Sequence, residues 1–283
     1  MTTARQLHTA TPLANGKVLI AGGQDNSSTI LSSAEIYSAA SGVFATTGPM
    51  TTAREQHTAT RLPSGDVLIT GGKGASILAS AEIYSAASGV FATTGSMVTA
   101  RYFHSAVLLP NGKVLVAGGI GTGGNLASAE LYDPATKTFS PTGSMITARY
   151  EFTATLLPSG KVLIAGGTGN AGVLNSAELY DPAGNAGVGR FATTGNMAVP
   201  RSGPTATLLP NGKVLIYGGS GGIVGSTAYY PPSAELYDGT TSFSTAGSTV
   251  MARYGHSATM LSNGLVLVAG GQNSATTYTN TAD

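Results

Sequence analysis

The amino-acid sequence predicts an all-β fold, a six-bladed β-propeller whose last blade is incomplete. Three observations predict it. Gly-Gly pairs recur at 22–23, 71–72, 118–119, 166–167, 218–219 and 270–271, a spacing of roughly 50 residues that marks an array of one repeated supersecondary unit. Each unit carries four short runs of strand character, of the form "HSAVLL", "KVLVAGG", "SAELY" and "FATTG". Turn-forming residues separate the runs, and four-stranded units repeated in this way describe propeller blades.

Each element follows from its residues. The first run is built of Thr, Ser and Ala, small enough for sheets that converge on a crowded axis. Asn15-Gly16, Asn111-Gly112, Asn211-Gly212 and Asn263-Gly264, with Ser64-Gly65 and Ser159-Gly160, supply the positive φ of a tight hairpin into the second run. That run is apolar at consecutive positions (Val114, Leu115, Val116), which implies burial on both faces. The third run ends in the repeated Tyr37, Tyr84, Tyr132, Tyr180 and Tyr237, and "DPATK" or "SAASG" turns it into the fourth. The repeats fall at about 1–49, 50–96, 97–144, 145–196, 197–247 and 248–283, within a single propeller domain. In the last repeat the third strand is cut short and the fourth is missing, so the sixth blade is expected to expose an open edge, a route to self-association.

Composition excludes several classes. A net charge of +1 with only 10% charged residues gives no basic stripe for nucleic acid. There is no cysteine, hence no disulfide and no thiol nucleophile. No apolar run is long enough to insert in a membrane. Met1 opens directly onto repeat text without the charged and apolar regions of a signal peptide, which suggests a cytosolic chain or a segment of a longer precursor. Low charge with abundant Thr, Ser and Gly favours a secreted or cell-surface parent.

The motifs R-x-x-H-[ST]-A, N-G-K-V-L-[IV]-A-G-G, S-A-E-[IL]-Y-D-P and the trailing T-G-x-M resemble kelch repeats of the bacterial type, across the whole chain. The resemblance implies the propeller and fixes no chemistry, because such folds host enzymes and scaffolds alike. The catalytic propeller of galactose oxidase is built of similar repeats, and an R-x-Y-H there supplies copper ligands. Arg253-Tyr254-Gly255-His256 and Arg101-Tyr102-Phe103-His104 come nearest to it, but without cysteine the radical cofactor of that enzyme is excluded.

The candidate site follows from where the repeats differ. The arginines Arg5, Arg54, Arg101, Arg149, Arg201 and Arg253 never change, and Glu35, Glu82, Glu130, Glu178, Glu235 and Asp283 match them one for one, which points to ion pairs within the scaffold. The two residues after each arginine do change: Gln6-Leu7, Glu55-Gln56, Tyr102-Phe103, Tyr150-Glu151, Ser202-Gly203 and Tyr254-Gly255. The loops after the diglycines vary with them, including "STAYYPPS" at 226–233 with Tyr229 and Tyr230, and Tyr278 in the last copy. Both sets map to one face of the blades, so that face, at the mouth of the channel, is the expected binding site. Its aromatic and amide groups suit a carbohydrate or a peptide or protein segment. His8, His57, His104 and His256 share one repeat position and could in principle gather a metal, but Phe152 and Pro204 fill the same slot, so no cofactor is expected. Glu55 and Glu151 could in principle act as a hydrolytic carboxylate pair. The leading expectation is a non-enzymatic binding module. A metal-dependent, carbohydrate-active enzyme and a structural spacer of a larger surface protein are the alternatives.

Overall fold

A hairpin with glycine at positive φ joins the first and second strands of every blade, at Gly16, Gly65, Gly112, Gly160, Gly212 and Gly264. In the structure, a computed structural model describing residues 1–224, 227–248, 251–273 and 277–282, these hairpins open antiparallel sheets, as the turn chemistry requires. The chain divides into two compact units, Met1–Thr142 and Gly143–Asp283.

The first unit holds three four-stranded blades. Blade one runs Thr9–Pro12, Lys17–Ala21, Ala34–Ser38 and Val43–Thr46; blade two runs Thr58–Arg61, Val67–Thr70, Ala81–Ser85 and Val90–Thr93; blade three runs Ser105–Leu108, Val114–Ala117, Ala129–Asp133 and Thr138–Pro141. The second unit holds blade four (Thr153–Leu156, Val162–Ala165, Ala177–Asp181, Arg190–Thr193) and blade five (Thr205–Leu208, Val214–Tyr217, Ser233–Tyr237, Phe243–Ser248). After blade five the chain makes a hairpin of Ser257–Met260 with Val266–Ala269, touched by an isolated bridge from Ala282 to Ala269. The described residues thus form five complete blades rather than six. In the last repeat only that bridge stands, among the described residues, where the others lay down a five-residue third strand. Asp283, expected to pair with Arg253, lies outside the described residues.

Packing repeats with the sequence. The second strands of blades two, three and four are buried along their whole length, as their unbroken apolar runs require. The third-strand tyrosine stacks on the fourth-strand phenylalanine with ring centroids 4.7–4.9 Å apart in every complete blade. Its hydroxyl reaches back one blade: Tyr84 to Thr47 (3.0 Å), Tyr132 to Thr94 (2.8 Å) and Tyr237 to Thr194 (2.9 Å). Blade joins blade there.

The arginine–glutamate pairs are the buried framework. Arg101 donates to Gly118 O, Ser128 O, Ser128 Oγ and Glu130 Oε1, and Glu130 also accepts from the backbone N–H groups of Val98 and Thr99. The same cage forms around Arg5–Glu35, Arg54–Glu82 and Arg149–Glu178, and around Arg201–Glu235 through Gly218 O, Ser233 Oγ and Glu235 Oε1, with ion-pair distances of 2.9–3.3 Å. Burial pushes the Arg54, Arg101, Arg149 and Arg201 guanidiniums below their ordinary value while the facing glutamate holds each up. Arg253 makes the corresponding bonds to Gly270 O and to Thr281 O and Oγ1.

Candidate functional site

The segment after each arginine is fixed by its main chain. The first variable residue forms a backbone bridge to the residue just after the diglycine: Gln6 to Gln24, Glu55 to Lys73, Tyr102 to Ile120, Tyr150 to Thr168, Ser202 to Ser220 and Tyr254 to Gln272. The second adopts a left-handed conformation in every copy, with φ of 52–56° at Leu7, Gln56, Phe103 and Glu151 and 59° and 68° at Gly203 and Gly255. In non-glycine residues that conformation costs about 1–2 kcal/mol, and it persists because neighbouring blades bond through it. Gln56 N donates to Leu7 O, Phe103 N to Gln56 O and Gly203 N to Glu151 O, at 2.8–3.2 Å. The backbone holds the geometry without help from these side chains, so their identities are free to differ. Glycine at two of six copies was the sequence signal for the left-handed site, and sequence reasoning missed it.

In the first unit, the structure brings Tyr102 and Phe103 together with ring centroids 5.3 Å apart. Lys73 Nζ sits 6.0 Å from the Tyr102 ring centre, a contact of cation–π type that rests on a residue not singled out from the sequence. Glu55 is buried with Oε2 unpartnered, and Gln56 Oε1 is likewise buried without a partner. Gln6 Nε2 donates to Gln24 Oε1 at 3.1 Å, while Leu7 is 42% exposed.

In the second unit, the variable residues converge. Ser202 Oγ donates to Glu151 Oε2 at 3.0 Å and accepts from Thr168 Oγ1 at 2.8 Å. The Tyr230 and Tyr254 rings lie 6.2 Å apart, and Gln272 Nε2 donates to the Tyr230 hydroxyl at 3.1 Å. Burial, then the Glu151 charge and the Tyr230 and Tyr150 phenols, push the Tyr254 hydroxyl up to about 12, so it stays protonated. A Cβ on Gly203 would stand 2.7 Å from Tyr254 Cε2; the absent side chain is the space the ring uses. Tyr229 packs over Gly221 instead, Tyr278 is 82% exposed, and Ser226 of the variable loop 226–233 lies outside the described residues.

Three of the four histidines are engaged in packing between blades. His57 Nε2 bonds Thr9 Oγ1 (3.0 Å), His104 Nε2 bonds Thr58 Oγ1 (2.9 Å) and His256 Nε2 bonds Thr205 Oγ1 (2.9 Å), each on the preceding blade. The imidazole edge of each of these three packs on the first glycine of the preceding blade's diglycine, where a Cβ would meet it at 2.9 Å or less. Burial, reinforced by the nearby arginine, lowers His57 to about 3 and His256 to about 4, and lowers His104 well below the usual range. His8 is also lowered, by burial and then Arg5. Among the described residues no three His, Asp or Glu side chains form a group able to hold a metal ion.

A cleft lies on the opposite, hairpin face of the blades. It measures about 450 Å³ and is lined by Leu62, Asp66, Ile83, Val90, Pro134 and Lys137, from blades two and three. A smaller cleft at Leu157, Lys161, Leu179 and Gly239 repeats it between blades four and five. A gap that recurs at two blade junctions, lined by turn residues common to the repeats, belongs to blade stacking rather than to recognition.

Residues 85–271 match the family described as the KLHDC2/KLHL20/DRC7 Kelch-repeats domain. The chain belongs to this kelch-repeat family. No protein of curated function matches the sequence. Among solved structures, the kelch chain is similar to YjhT, with a TM-score of 0.77 at 15% identity, covering 98% of this chain and 93% of that one. Solved chains matching this fold number 498, so fold likeness alone selects no activity. The kelch assignment accounts for the arginine cages and the diglycines. It leaves the side chains after the arginines unexplained. No helix is long and apolar enough to cross a membrane among the described residues.

Proposed function

We propose that this kelch-repeat chain is a non-enzymatic binding module whose ligand, a carbohydrate or a peptide or protein segment, is held by the residues after each arginine. A binding or scaffold role is what kelch membership supports in general. The observation that carries the finer reading is the division of labour in the R-x-x-H segments. Their backbones are pinned by bridges and blade-to-blade bonds, so the side chains of Tyr102 and Phe103 in one unit, and of Tyr150, Glu151, Ser202 and Tyr254 in the other, are not needed to hold the main chain in place. Aromatic faces beside hydrogen-bonding groups on a rigid framework are the usual composition of a recognition surface.

The test is a screen of the immobilised protein against glycan and peptide arrays. Hits are repeated with Tyr102→Ala, with Tyr254→Ala and with Lys113→Ala on the hairpin face. Binding that drops at least tenfold with a tyrosine variant and holds with Lys113→Ala is the expected result. Loss confined to Lys113→Ala would move the site to the hairpin face and refute the reading.

A further inference from the structure

The second unit places one carboxylate among three phenol rings and gives it no cation. Glu151 accepts from Ser202 Oγ, itself bonded to Thr168, and has no ion-pair partner among the described residues. The Tyr254 ring lies over Gly203, 6.2 Å from the Tyr230 ring. Tyr150 precedes Glu151 in the same segment, and Glu151 accepts from Gly203 N through its carbonyl and from Ser202 Oγ through its carboxylate, so the four residues border a common space. All four residues are partly exposed, which leaves that space open to solvent.

The first unit shows what a tyrosine at this repeat position accepts. There the variable tyrosine is Tyr102, and the residue after the preceding blade's diglycine is Lys73. The Lys73 ammonium sits 6.0 Å from the Tyr102 ring centre. The protein sets its own alkylammonium beside a first-position tyrosine. In the second unit the positions equivalent to Lys73 are Thr168, Ser220 and Gln272, all neutral. The tyrosine position is repeated, as Tyr150 and Tyr254, and the cation is not.

We propose that Tyr150, Glu151, Tyr230 and Tyr254 form a binding site for an alkylammonium group, the head of a lysine side chain or of a small quaternary ammonium ligand. Ring faces attract such a cation through their quadrupoles, and a carboxylate at the edge adds a full charge. Three phenol rings with one acid favour this head group over a neutral sugar because a sugar leaves the Glu151 charge uncompensated. The inference rests on the reading of this face as a binding surface and names its ligand class.

The experiment uses full-length protein with ¹³C-labelled tyrosine rings, the three signals being assigned by single Tyr→Phe variants. Four probes are titrated at constant ionic strength: tetramethylammonium chloride, Nα-acetyl-lysine N-methylamide, sodium chloride, and 3,3-dimethylbutanol as a neutral shape match. The two ammonium probes should shift the Tyr150, Tyr230 and Tyr254 rings saturably, and their relative affinities say which source the site prefers. Sodium and the neutral probe should do so at least tenfold more weakly. Glu151→Gln and Tyr254→Ala should each weaken ammonium binding at least tenfold, whereas Tyr254→Phe, which keeps the ring, should stay within about threefold. Unchanged thermal unfolding certifies the variants as folded, and Glu151→Gln serves if Tyr254→Ala does not fold. Equal binding of the neutral probe, or indifference to Glu151→Gln, overturns the proposal. If ammonium fails but an oligosaccharide or peptide hit moves these rings, the inference falls and the binding-surface reading stands. If no probe moves them, both fall.

Discussion

Replacing Arg101 or Glu130 should damage the protein more than any change at the neighbouring variable residues. Arg101 is fully buried and makes four hydrogen bonds, one of them to Glu130 at 3.1 Å. Arg101→Leu leaves the Glu130 carboxylate buried without its cation, a loss of about 3–5 kcal/mol. It also strips a donor from the Gly118 and Ser128 carbonyls, each worth about 1 kcal/mol or more when left unpaired. The sum, about 5–7 kcal/mol, is a large fraction of the roughly 5–15 kcal/mol that holds a domain folded. Glu130→Gln keeps the shape but leaves the guanidinium uncompensated, and should cost about 3 kcal/mol. The double variant Arg101→Leu/Glu130→Gln removes both charges together, so its cost should fall short of the summed singles by about 2–4 kcal/mol.

Urea unfolding followed by far-ultraviolet circular dichroism reads all three. At an m-value of about 3 kcal/mol per molar, a loss of about 4 kcal/mol lowers the midpoint by about 1.3 M. Because the chain has two compact units, the transitions should be fitted for more than one step before free energies are compared. Singles that cost less than about 1 kcal/mol each, or a double variant that is simply additive, would refute the argument that the arginine recurs because a buried pair demands it.

Two further outcomes rest on the same division of labour. Imidazoles held neutral by burial, with His57 at about 3 and His256 at about 4, lie below the unfolded value near 6.5, so only the unfolded chain binds their protons between those limits. Stability should be complete above about pH 6.5 and fall on acidification, by about 2 kcal/mol per such histidine at about pH 5, and His57→Phe should flatten that part of the pH–stability profile; an unchanged slope would refute the assignment. Tyr132→Phe should cost about 1 kcal/mol through loss of the Thr94 bond, whereas Tyr102→Ala, at a backbone-held position, should cost clearly less than removal of a buried core aromatic, about 3–5 kcal/mol; comparable losses at Tyr102 and in the core would make the variable tyrosines structural.

How much could be read from the sequence depended on whether a residue's role was repeated. Arg101 and Glu130 could be paired by eye because five other copies carry the same arginine and the register between the two hardly drifts. The burial of the second strands and the shortened last blade were legible for the same reason: each copy is a control on the others. The variable positions have no such control. Side chains that differ in every blade must be located by geometry, and two facts were out of reach without it. One is that Tyr150, Glu151, Ser202, Tyr230 and Tyr254 gather in the second unit, which depends on Gly203 yielding its side-chain space to Tyr254. The other is that Lys73, hidden in a loop that varies in both length and composition, sets a cation beside Tyr102 at a repeat position where the second unit has Thr168, Ser220 and Gln272. The left-handed residue was the exception. Gly203 and Gly255 announced it, but Leu7, Gln56, Phe103 and Glu151 masked it, because an L-residue accepts φ of 52–56° only when neighbouring blades supply the bonds that hold it there. The feature that frees these side chains to vary is itself a tertiary one, which is why variation in the sequence marked the position without disclosing its mechanism.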